Sequence, residues 1–173
     1  MESHGIVCRR RLAVPGRPEV YELTEWGYRL EAVNAALSLW AAASPTLPRD
    51  ADMSPDSLVL AMRAHARRVP GVTAGQRVAL HLTDSRRGDG DPASYLARIS
   101  RQRTRIDKSM EPAPVDAEVS ATTLDWKAWM VGGVDAEQLP NIRISGQRTA
   151  VDNLIVATSL TPPGRGLARQ RGS

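Results

Sequence analysis

The 173-residue chain contains no phenylalanine, three tyrosines, four tryptophans and a single cysteine. One thiol, Cys8, excludes an internal disulfide and any cluster of cysteine metal ligands, and a reducing cytoplasm is its simplest setting. No apolar run approaches the roughly 20 residues that a membrane-spanning helix needs. The opening MESHGIVCRRR lacks the apolar core of a secretory signal, so the expectation is a soluble, intracellular chain with no membrane partner. Signs of catalysis are also missing. His4, His65 and His81 fall in unlike elements, and there is no G-x-S-x-G elbow, H-E-x-x-H pair or phosphate-binding loop. His65 shares an apolar face with Leu58, Met62 and Val69 but has no ligand partner at i,i+4 spacing. The acidic turn with Asp84, Asp89 and Asp91 lacks the spacing and terminal Glu of a calcium loop. No enzyme, cofactor or metal is expected.

What is present is enough apolar residue for a core, 42%, and a net charge of +4 that permits an anionic partner without demanding one. The chain is organised around Gly5 to Ser44. Gly5–Leu12 and Glu19–Thr24 read as strands joined by a turn holding Pro15, Gly16 and Pro18. Thr24 reads as the N-cap of a long helix with Glu25 in its first turn. Along that helix Trp26, Leu30, Val33, Leu37 and Trp40 recur at steps of four, three, four and three, a heptad seam. Spacing alone leaves two readings, a helix packed on its own core or one that meets a partner helix. Arg9, Arg10, Arg11 and Arg17 cluster on the hairpin, either as a solvated face balanced by Glu19, Glu22 and Glu25 or as phosphate contacts.

The run Gly5, Ile6, Val7, Arg9 to Arg11, then Tyr21, Leu23, Thr24, Glu25, Gly27 and Leu30 resembles the wing and following helix of HxlR-type winged-helix transcriptional regulators. The resemblance implies a DNA-contacting hairpin and a dimerisation helix. In that family the recognition helix precedes the wing, whereas Met1 stands just before it here. The expectation is therefore a partial winged-helix unit at 1–44 that binds DNA only weakly and pairs as a homodimer.

Ser44-Pro45 and Pro48 mark a linker at 45–53. Ser54, Pro55 and Asp56 then open a second helix that stops near Pro70 and Gly71. From Gln76 the period changes to two, and strands are expected at Gln76–Thr83, Tyr95–Ser100, Gln102–Asp107, Asp116–Thr122 and Asn141–Ser145 as an antiparallel meander with one covered face. Thr123–Val131 reads as a helix stopped by Gly132 and Gly133, and a closing helix carries Val151, Leu154 and Ile155 before Pro162. The tail 161–173 is basic, poor in apolar residues and expected to be disordered.

This order, with D-A-E-V-x-x-T-T-L passing from strand to helix and N-I-R-I-S-G before the last helix, resembles the sterol-carrier-protein-like module. The resemblance spans 54–160 and implies an α+β fold, a curved antiparallel sheet backed by helices around a pocket for a small apolar ligand. Trp126, Trp129, Met130 and Leu154 are its candidate pocket residues, although core filling is the simpler reading of each. In some HxlR-type regulators the two parts occur in this order. Two functions follow, a DNA-binding regulator with an apolar effector domain, and a ligand-binding or dimer-forming protein without sequence-specific DNA binding.

Overall fold

Val7–Arg11 (β1) and Glu19–Leu23 (β2) form an antiparallel hairpin in which Val7 faces Leu23 and Arg11 faces Glu19. The computed structural model describes residues 1–11, 18–47, 51–87, 90–109 and 114–160, so Arg17, Asp89 and the tail 161–173 lie outside the described residues. Thr24 caps the helix that follows. Its Oγ1 accepts from Gly27 N at 3.0 Å and donates to Gly5 O at 2.6 Å, tying the helix start to the hairpin. Gly27 completes the joint, because a Cβ there would sit 2.1 Å from Ile6 O. No other residue fits that approach.

The expected single helix is two pieces, Glu25–Tyr28 (α1) and Leu30–Ala42 (α2). Arg29 N bonds Trp26 O at 3.1 Å and Ala32 N bonds Arg29 O at 3.3 Å, so i,i+3 bonding tightens the chain there while it keeps its helical sense.

Pro55–His65 (α3) starts where its signals place it, with Ser54 Oγ accepting from Ser57 N at 3.2 Å. The strands Gln76–Thr83 (β3), Ala93–Ile99 (β4), Thr104–Lys108 (β5), Ala117–Thr122 (β6) and Arg143–Gly146 (β7) form one sheet in the order β5-β4-β3-β6-β7. This corrects the antiparallel meander: β6 pairs parallel to β3, Val78 opposite Ala117 and Thr83 opposite Thr122, while the other pairs are antiparallel. The β4–β5 pair already occupies one edge of β3, so β6 takes the other edge and runs in the same sense as β3 and β5. Alternation reports which face a side chain takes and carries no information about a neighbour's direction.

One face of the sheet is covered. Val78, Leu80 and Leu82 of β3 and Val119 of β6 are buried beneath Thr123–Met130 (α4) and Arg148–Thr158 (α5), with α3 beside them. Thr122 caps α4 by accepting from Asp125 N at 3.2 Å, and Gly133 ends it with φ near 68°. The sequence order of helix, strands, strand-to-helix passage, double-glycine stop, strand and closing helix is the order observed, in a mixed α+β architecture. Among the described residues no helix is long and apolar enough to cross a membrane.

Candidate functional site

A cleft of about 190 Å³ lies where α2, α3 and α4 meet. Ser38, Ala41 and Ala42 of α2 form one wall, and Leu58, Ala61 and His65 of α3 form the opposite one. Met130 and Val131 at the end of α4, with Leu47, Met53 and Leu160, close the remainder. Its charged members are largely committed to the protein. Lys127, 5% exposed, donates from Nζ to Ala51 O, and Asp52 Oδ1 accepts from Thr123 Oγ1 at 2.9 Å and from Met53 N at 2.7 Å. These bonds fasten the 51–53 segment to α4 and leave a mainly apolar space.

His65 is the exception. Its Nε2 is buried and has no hydrogen-bond partner among the described residues. Burial first, and the Arg67 guanidinium second, lower its pKa below the ordinary histidine range, so the ring stays neutral beside the cleft.

Of the residues expected to line a pocket, the structure puts Met130 on the cleft wall. Trp126 and Leu154 are fully buried in the core and are not on that wall. Trp129 meets Trp126 edge to face, centroids 5.5 Å apart and planes at 73°, and the Arg148 guanidinium covers its ring at 5.4 Å. The residues that build the α2 wall lie off the heptad seam. In the structure Asn34, Ala35, Ser38, Ala41 and Ala42 form a half-exposed stripe on that helix, and their small size gives no sign in the sequence that they line a cleft.

The seam residues face away from the domain. Trp26, Leu30, Val33, Leu37 and Trp40 are all exposed, Trp40 to 75%. On the hairpin each described arginine meets a carboxylate: Arg9 Nε to Glu2 at 3.3 Å, Arg10 Nη1 to Glu22 at 3.0 Å, Arg11 Nε to Glu19 at 2.9 Å. Arg9 also lies 5.5 Å from the centre of the Tyr21 ring.

The sheet face opposite the helices holds an array that sequence spacing does not reveal. His81 Nδ1 is 2.9 Å from Ser94 Oγ, and its Nε2 is 2.9 Å from Glu118 Oε1, across β4, β3 and β6. Ser94 and His81 are direct cross-strand partners. The strands carrying them are paired on both sides, so the backbone N–H groups that would hold a developing oxyanion are engaged in the ladders. Among the described residues no three His, Cys, Asp or Glu side chains gather to hold a metal ion.

No protein-family model matches the chain. No curated protein matches it either. Similar solved structures include apo sterol carrier protein 2 from Yarrowia lipolytica, 9% identical with a TM-score of 0.39, covering 75% of this chain and 91% of that one. Sterol carrier protein 2 like 2 from Aedes aegypti is 14% identical with a TM-score of 0.38, covering 75% of this chain and 97% of that one. MycE methyltransferase of the mycinamycin pathway is 12% identical with a TM-score of 0.40, over 70% of this chain and 33% of that one.

Proposed function

We propose that this chain is a binding protein for a small apolar molecule, held in the cleft between α2, α3 and α4. The observation that carries the reading is the cleft itself, about 190 Å³ walled mostly by alanine, leucine, methionine and valine side chains. An engineered apolar cavity of about 150 Å³ holds benzene, so this space suits a body of one or two rings or the end of an acyl chain. Desolvating such a body contributes roughly 25 cal/mol per Å² of apolar surface.

The test is a thermal-shift and NMR titration with p-xylene and naphthalene on the wild type and on Ala61→Leu, which fills the space. Saturable binding is expected in the wild type, raising stability by about 2.7 kcal/mol at a hundredfold excess over Kd. Ala61→Leu should lose it. Equal shifts in both proteins would overturn the assignment.

The seam supports a second property, pairing with a second copy of the chain. Trp26, Leu30, Val33, Leu37 and Trp40 together expose apolar surface on the order of 500 Å². That suits the apolar share of a standard interface, which buries about 800 Å² per partner. Sedimentation equilibrium should show a dimer. The DNA-regulator reading draws on the hairpin arginines, whose local carboxylates compete with phosphate for the same guanidinium groups. Binding to DNA is expected to be weak and steeply salt-dependent, and tight sequence-selective binding in a gel shift would reverse the order of the two functions.

A further inference from the structure

Helix α2 docks chiefly on α3, through a stripe of small residues. None of its 13 residues is buried, and the stripe it turns towards the domain is Asn34, Ala35, Ser38, Ala41 and Ala42, whose short side chains offer little contact area. Its ion pair to α3, Glu31 to Arg63, spans 3.7 Å, while Arg63 Nε is committed to Ile106 O at 2.7 Å. A partly exposed pair of that length contributes little.

The cleft sits in this joint. Ser38, Ala41 and Ala42 form one wall and Leu58, Ala61 and His65 the other, so a molecule filling the space touches both helices. We infer that ligand binding and the docking of α2 onto α3 are a single linked equilibrium, the ligand supplying the packing that the small-residue stripe of α2 lacks. This rests on the cleft being the ligand site. Linkage makes the effect reciprocal: whatever holds α2 in place tightens binding, and whatever binds holds α2 in place. A filled cleft then holds the outward seam of α2 in its docked orientation for more of the time. A ligand that contacts both walls has the differential affinity for docked and undocked states that such a switch requires.

Hydrogen exchange on the full chain, with and without saturating p-xylene, tests this. Binding is followed in parallel through the Met130 methyl resonance. Amides of α2, which exchange by local undocking, are expected to slow by about tenfold or more on saturation, alongside the core amides of β3 and α5 that slow because the ligand raises global stability. Ala61→Leu, which fills the space without a ligand, should slow α2 in the same way. If p-xylene shifts Met130 and slows the core amides of β3 and α5 while α2 exchange is unchanged, the linkage is overturned and the binding site stands. If p-xylene leaves Met130 unshifted, both the site and the linkage fall.

Discussion

The two parts of the molecule point their large apolar side chains in opposite directions. Between α3 and α5, Leu58, Met62, Leu80, Trp126 and Leu154 are almost wholly buried, and the opposite sheet face carries mainly polar residues, with Ala79 and Leu96 among them. In the hairpin and α1–α2, Trp26, Val33, Leu37 and Trp40 face outward and small residues turn inward. The first arrangement is that of a domain that stabilises itself. The second leaves an apolar stripe exposed, the kind of surface patch that can mark an interaction site.

The contrast can be broken most strongly at the core. Leu154→Ala should cost about 2–5 kcal/mol in denaturant unfolding, because it leaves a cavity under the sheet. Leu37→Ala, an equal truncation on the seam, should leave monomer stability within about 0.5 kcal/mol. A comparable loss for both would erase the distinction. Next in size is Gly27→Ala, which drives a methyl group towards Ile6 O and should cost about 1–3 kcal/mol, read as faster exchange of the hairpin amides. Leu37→Glu should weaken self-association by roughly tenfold or more in sedimentation without lowering the melting temperature of the monomer.

A smaller effect sharpens the picture of the cleft. The His65 pKa is depressed in the folded chain, so below the ordinary value near 6.5 the unfolded chain binds a proton that the folded one resists. Stability should therefore fall as pH drops below about 6.5, and His65→Leu should flatten that slope in pH-resolved melting curves. The smallest change is expected on the hairpin. Arg10→Ala removes an exposed pair with Glu22, and its melting curve should overlay that of the wild type.

Much of the fold was legible because its signals are local. Ser54-Pro55 caps and opens α3, Thr24 caps α1, and the double glycine stops α4, each through bonds within one turn. Alternation in Gln76–Thr83 and Ala117–Thr122 gave the buried face of each strand. The parallel pairing of β3 with β6 was not legible, because it depends on which edge of β3 was still free after β4 and β5 had paired. The cleft was legible only in part. Met130 was found from its apolar helix, but Ala41, Ala42 and Ala61 matter because they are small where three helices converge, and a small residue carries no signal until its neighbours are known.

The heptad seam shows the same division. Its spacing from Trp26 to Trp40 is written in the chain, since a helical period fixes which residues share a stripe. Whether that stripe faces inward or outward depends on which side of α2 meets α3, and the tertiary structure gave that side to the alanines and Ser38. Periodicity is a property of one helix, whereas burial is a property of the pair.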